Sequence, residues 1–154
     1  AREYLPKLAT ALSIRDVELR ADSRAISMLD AVTEEARIVP AQAGDFGREF
    51  LGLIASVKIV DSIEEAMNHI AEYGSRHSEA IVSDNKETIE QFLGEVDSAA
   101  VFANTSTYFN DGAQFGLGAE VAVSTNKLHA RGPMGLKEIT TYKWKVRGNG
   151  QVRT

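Results

Sequence analysis

An α/β fold built on a parallel sheet is what this chain predicts, and three features predict it. Apolar runs of strand length occur at 51–60, 79–83 and 99–104. Two amphipathic helical stretches lie between them, each opening on a capping residue. The links are short. Strand, helix, strand, helix, strand in this arrangement is the pattern of right-handed βαβ units. The expected architecture is therefore a parallel βαβαβ sheet with flanking helices, plus one further strand near the end of the chain.

Taken in order, Leu5, Leu8 and Leu12 with Ala9 and Ala11 form a helical stripe, and Pro6 suits only its first turn. Residues 17–20 alternate as a short strand. Residues 23–29 read as a helix with Ile26 and Leu29 inward, and 37–40 as an extended piece stopped by Pro40. After a loop at 41–47 and the strand at 51–60, Asp61 or Ser62 opens a helix, with Ser62 and Glu65 at capping-box spacing. Ile63, Ala66, Met67, Ile70 and Tyr73 share one face of it, and Gly74 ends it. A strand at 79–83 follows, and Asp84-Asn85 caps a second helix with Ile89, Phe92, Leu93 and Val96 inward. After the strand at 99–104 and a β-prone run at 121–123, Pro133 suits the first position of a short helix over 133–140. Residues 141–147 alternate Tyr142, Trp144 and Val146 against Lys143, Lys145 and Arg147, a strand whose partner lies far away or in another subunit.

The chain of 154 residues is long enough for one domain with a real core. Its 44% hydrophobic and 25% charged residues are ordinary for a soluble globular protein. A net charge of -5 argues against nucleic acid or an anionic membrane as partner. No apolar run approaches the ~20 residues of a membrane span, and no secretory signal opens the sequence, so it reads as cytoplasmic. There is no cysteine, so these residues supply no disulfide, thiolate metal ligand or thiol nucleophile. The opening Ala1-Arg2-Glu3-Tyr4-Leu5 already reads as helix, with no initiator methionine, which suggests a piece of something longer.

The stretch 99–135 is where the chemistry gathers. A buried strand turns abruptly polar at Asn104-Thr105-Ser106-Thr107, at the sheet edge where open α/β folds bind ligands. A glycine-dense loop follows, with Gly112, Gly116 and Gly118 around Phe115, and then a basic turn from Lys127 to Pro133. From spacing alone the same stretch also reads as a long connection. Arg131 suits a forked pairing with carboxylate or phosphate, or a solvated surface position. His69 reads as a surface residue, His77 as a loop residue near the sheet edge, and His129 as part of the basic turn. Histidines so spread make no metal site. No nucleophile elbow, dinucleotide-binding glycine motif or P-loop is present. Glu49, before Phe50-Leu51-Gly52, is by spacing an ordinary loop carboxylate.

Read as strings, several segments carry a resemblance. They are Val60-Asp61-Ser62-Ile63-Glu64-Glu65-Ala66, Tyr73-Gly74-Ser75-Arg76-His77-Ser78-Glu79-Ala80-Ile81-Val82 and Phe115-Gly116-Leu117-Gly118-Ala119-Glu120. To these are added Lys127-Leu128-His129-Ala130-Arg131-Gly132-Pro133-Met134-Gly135-Leu136 and the closing Thr140-Thr141-Tyr142-Lys143 and Arg147-Gly148. The chain resembles the C-terminal portion of the γ-glutamyl phosphate reductases (glutamate-5-semialdehyde dehydrogenases), a branch of the aldehyde dehydrogenase superfamily. The resemblance implies the catalytic-domain fold of that superfamily, with 1–124 as the later part of the catalytic domain. Residues 125–154 become a return segment and an oligomerisation strand, giving a homo-oligomer through 141–147.

The implied reaction is NADPH-dependent reduction of γ-glutamyl phosphate to glutamate 5-semialdehyde in proline biosynthesis. A cysteine thiolate attacks the acyl phosphate, phosphate leaves, and hydride reduces the thioacyl intermediate. In the family that cysteine precedes the region matched here, so the chain is expected to be inactive alone. The resemblance assigns Glu49, with Leu51, to the nicotinamide ribose, and Asn104 and the loop through Phe115 to the wall of the acyl site. Arg131 and His129, with His77 as a further candidate, are assigned to the phosphate or the substrate α-carboxylate. The family commonly has arginine at Tyr108, glycine-glutamate at Ala113-Gln114, and glycine at Arg76. The alternative expectation is a free-standing binding or assembly module derived from that enzyme.

Overall fold

The structure is a computed structural model in which residues 1–29 and 36–154 are described. Its helices are α1 (Tyr4–Ser13), α2 (Ser23–Leu29), α3 (Ile63–Tyr73) and α4 (Lys86–Glu95). Its strands are β1 (Glu18–Ala21), β2 (Ile38–Pro40), β3 (Ile54–Val57), β4 (Ser78–Ile81), β5 (Ala100–Ala103), β6 (Ala122–Ser124) and β7 (Gly132–Met134). The chain is a mixed α/β protein with parallel strands and helices between them. It divides into two compact units, Ala1–Ser75 with Asn85–Asp97, and Arg76–Asp84 with Ser98–Thr154.

In the first unit β1 is central, parallel to both β2 and β3, with Leu19 opposite Ile38 on one side and Ala55 on the other. Leu19 is only 2% exposed and anchors a core of Leu5, Ala9, Ala21, Ala25, Leu29 and Ile59. Leu5 and Ala9 meet it because residues four apart share a helix face. Leu8 lies outside that stripe and is exposed. The Asp22 carboxylate joins β1 to α2, accepting from Ala25 N–H at 2.7 Å and Ile59 N–H at 3.2 Å.

Ser62 caps α3 by accepting from Glu65 N–H at 3.2 Å, and Glu65 reaches back to Asp61 N–H at 2.9 Å. Each bond satisfies a backbone donor at the helix start or just before it. Asn85 caps α4 in the same way through Thr88 N–H. Phe92 and Val96 of the predicted inward face are buried, but Leu93 is exposed. Gly74 does end α3, in an extended conformation open to any residue, and the left-handed residue is Arg76 at φ 64°.

The strands at 51–60, 79–83 and 99–104 do not form one ladder. β3 pairs with β1, whereas β4 pairs with β5, in parallel, with Ser78 opposite Ala100 and Ile81 opposite Ala103. An apolar run tells which residues are extended; which edges meet is set by contacts far apart in sequence.

One later expectation is corrected. Pro133 does not open a helix. It sits in β7, antiparallel to β6 and opposite Val123. A two-stranded ladder has outer edges where proline's missing N–H goes unused. Residues 141–147 join no ladder among the described residues, and Tyr142, Trp144 and Val146 stay exposed, Trp144 at 83%. Tyr142 and Trp144 meet each other edge to face at 5.9 Å. His69 also differs from its surface assignment. Its ring packs on Tyr73 at 4.7 Å and Phe46 at 5.3 Å, and burial followed by the nearby Lys58 ammonium holds its pKa below the ordinary value.

Candidate functional site

The glycine-rich loop of the second unit is held by bonds among its own residues. The Asp111 carboxylate accepts from Ala113 and Gln114 N–H, and Leu117 N–H donates to Gly112 C=O at 2.8 Å. Glu120 closes the loop by accepting from Gly112 N–H at 2.8 Å. Gly112 is required by proximity: a Cβ there would stand 2.7 Å from Ala119 O and 2.9 Å from Glu120 Cβ. Gly116 and Gly118 are required by conformation, at φ 74° and 76°.

This loop delivers Phe115 and Leu117 to a hollow of about 570 Å³ that also includes Phe102 of β5, Arg131 and Pro133. Arg131 brings the one charged side chain among the lining residues. A forked cation in an apolar hollow suits a small substrate with a carbon chain and an anionic end.

A second hollow of about 570 Å³ lies beside it in the chain, lined by His77, Thr107, Tyr108, Asn110, Asp111 and Gln114 among others. His77 Nδ1 is 2.6 Å from Ser78 Oγ, and Asn110 Nδ2 is 2.6 Å from the same oxygen. Tyr108 and Gln114, two positions at which the sequence leads one to expect a departure from the family pattern, both line this hollow.

Asn104 lines neither hollow. At φ 55°, its amide donates to Ser83 C=O and accepts from Ser83 N–H, both at 2.9 Å, so it ties the ends of β4 and β5 together. His129 lines neither as well; its Nε2 donates to Glu138 C=O at 2.9 Å. Of the residues assigned to substrate, the structure thus gathers Phe115 and Arg131 at one hollow and places His77 at the other.

Glu49 and Leu51 belong to the first unit, both exposed, with Leu51 at φ 51°. Phe50 between them lies 4.8 Å under the Arg20 guanidinium and 5.6 Å from that of Arg48. Arg20 is itself aimed by Asp45 at 2.8 Å and Glu18 at 3.0 Å. Asp45 is 4% exposed, and Gln42 N–H, then Arg20, hold its carboxyl below the ordinary carboxylate pKa. Glu49 therefore stands on an anchored turn.

Sequence reasoning missed Ser78, Asn110, Glu120, Arg20 and Asp45. Ser78 and Glu120 carried a signal, each lying in a segment quoted for its resemblance. Ser78 and Asn110 are 32 positions apart and Arg20 and Asp45 are 25 apart, so no local spacing links either pair.

No family model matches the chain. It is 56% identical over 99% of its length to γ-glutamyl phosphate reductase from Dehalococcoides mccartyi, covering 36% of that protein. Against γ-glutamyl phosphate reductase from Chloroflexus aurantiacus it is 57% identical over 99% of its length and 36% of the relative's. The crystal structure of γ-glutamyl phosphate reductase from Thermotoga maritima matches 99% of the chain and 36% of its own, with a TM-score of 0.89 at 41% identity. In sequence and in fold the chain is similar to the γ-glutamyl phosphate reductases, and it spans about 36% of the length of the relatives it matches.

Proposed function

We propose that these residues supply part of the active site of an enzyme reducing γ-glutamyl phosphate to glutamate 5-semialdehyde with NADPH, in the cytoplasmic synthesis of proline. The observation that carries this reading is the 56% identity to γ-glutamyl phosphate reductase across nearly the whole chain. The Phe115–Arg131 hollow supports it with matching chemistry. Phe115, Leu117 and Phe102 hold the carbon chain away from water, while Arg131 pairs with the phosphate or the α-carboxylate. His77 and, through the basic turn, His129 serve the same anionic ends, and Asn104 fixes the strand ends that carry the wall.

The nucleophilic thiolate comes from outside these residues, which include no cysteine. The chain alone therefore gives no turnover. NADPH, when bound, supplies the hydride. Glu49 fits a role toward its ribose, because an exposed carboxylate on an anchored turn is an acceptor for two hydroxyls, and Leu51 would pack alongside.

The test is Arg131→Ala in the complete enzyme, assayed in the reverse direction as phosphate-dependent oxidation of glutamate 5-semialdehyde. Losing a charge-assisted pair worth about 1.5–3 kcal/mol raises KM roughly 10- to 150-fold. An unchanged KM for both phosphate and aldehyde removes Arg131 from the site.

A second reading rests on the exposed Tyr142, Trp144 and Val146, whose alternation is that of a strand lacking an edge to join. It makes the chain an assembly module that forms a homo-oligomer through 141–147. Light scattering decides it: a defined oligomer that Trp144→Lys breaks into monomers supports it, and a monomeric parent chain refutes it.

A further inference from the structure

The Arg20 guanidinium, on the central strand of the first unit, is held at two of its nitrogens. Nε donates to Glu18 at 3.0 Å and Nη1 to Asp45 at 2.8 Å. Each carboxylate is held in turn: buried Asp45 accepts from Gln42 N–H at 2.9 Å with its other oxygen, and Glu18 from Arg37 Nη2 at 2.8 Å. Hydrogen bonds to a guanidinium lie in its plane, so two of them set the direction of that plane. So aimed, the group stands over the Phe50 ring, with Cζ 4.8 Å from the centroid. Phe50 is flanked by two exposed residues, Glu49 and Leu51, and Leu51 has a left-handed backbone at φ 51°. Leucine disfavours that conformation, which persists only where the surroundings over-determine it. The Leu51 side chain, 88% exposed, brings little packing of its own, so the constraint comes from the anchored neighbour.

We propose that Arg20 is a positioning residue whose guanidinium, oriented by Asp45 and Glu18, holds Phe50 so that the Leu51 turn presents Glu49 to the ribose of the nicotinamide cofactor. This deepens the reductase reading above and rests on it for what Glu49 serves. Lysine does not replace Arg20, because an ammonium is a compact charge without a plane for two carboxylates to orient.

Arg20→Lys, Phe50→Leu and the double variant test it. In the ligand-free 154-residue chain, the NOE between the amide and Hα hydrogens of Leu51 reports the turn, since a left-handed residue brings the two closer than either ordinary backbone region does. The parent should give a strong NOE and both single variants a weaker one, with amide spectra checking that the fold is retained. Arg48→Lys, altering the more distant guanidinium at 5.6 Å, should change it less. An unchanged NOE in Arg20→Lys, or an equal loss in Arg48→Lys, would overturn the proposal. In the complete enzyme, NADPH affinity is titrated by its fluorescence without substrate. Arg20→Lys should raise Kd roughly 2- to 30-fold, the range of a lost cation–π contact, and raise it no further once Phe50→Leu is present. KM for glutamate 5-semialdehyde should stay at the parent value. Additive losses, a matching rise in that KM, or a Kd unmoved in Arg20→Lys where Glu49→Gln raises it would each contradict the positioning role. A Kd unmoved by Glu49→Gln removes the ribose reading instead, and the Leu51 NOE then decides the positioning by itself.

Discussion

Replacing Gly112 by alanine tests whether the glycine-rich loop is a built scaffold for Phe115. The added Cβ meets Ala119 O at 2.7 Å, Glu120 Cβ at 2.9 Å and the Ala119 carbonyl carbon at 3.2 Å. Two of these are backbone atoms, so the strain is not relieved by a side-chain rotation. Overpacking of this kind costs about 1–3 kcal/mol. The shift that relieves it also weakens the charge-assisted bond from Gly112 N–H to Glu120, an interaction class worth about 1.5–3 kcal/mol. Because relief of one trades against loss of the other, a net cost of about 3 kcal/mol is expected.

The cost falls on local opening of the loop, so amide hydrogen exchange is the assay. Exchange at Leu117, whose N–H is bonded to Gly112 C=O, should accelerate roughly 100-fold. Gly116→Ala is the control. It strains a left-handed residue by about 1–2 kcal/mol but meets nothing within 4 Å, so its effect is smaller. Equal exchange at Leu117 in the parent and Gly112→Ala chains would refute the reasoning.

Two further outcomes follow from the core and the charges. Leu19→Ala removes the most deeply placed large side chain of the central strand and should lower unfolding free energy by about 3–4 kcal/mol, measured by urea denaturation. Acid should destabilise the fold: Asp45, held by Gln42 N–H and Arg20, and Asp61, held by Arg24, have pKa values below the ordinary 3.8. Their stabilisation is complete above that value and is lost as pH falls through the lower folded-state values. Glu79, raised by burial, works in the opposite sense, and Asp45→Asn should flatten the urea midpoint between about pH 5 and 2.

Features governed by neighbours in sequence were legible. Ser62 and Asn85 were readable as caps because a cap bonds three residues ahead, and both do so. The βα alternation was readable because each apolar run is local. Strand partnership was not, since β3 joins β1 through a ladder that depends on which edges are open. Pro133 misled because the same fixed φ serves a helix start and an edge strand. His69 misled because its aromatic neighbour Phe46 arrives from a loop 23 positions earlier, counted from 46 to 69. At the candidate site, Phe115 and Arg131 were legible from the glycine loop and the basic turn. The Ser78–Asn110 link was not, since a serine opening a strand and an asparagine closing a turn look ordinary apart.

The most direct measurement grafts these 154 residues into the Dehalococcoides mccartyi enzyme in place of the stretch they match. Phosphate-dependent reduction of NADP by glutamate 5-semialdehyde is then followed. The account predicts turnover by the chimera and none by the chain alone. A folded chimera without activity, or turnover by the isolated chain, would contradict it.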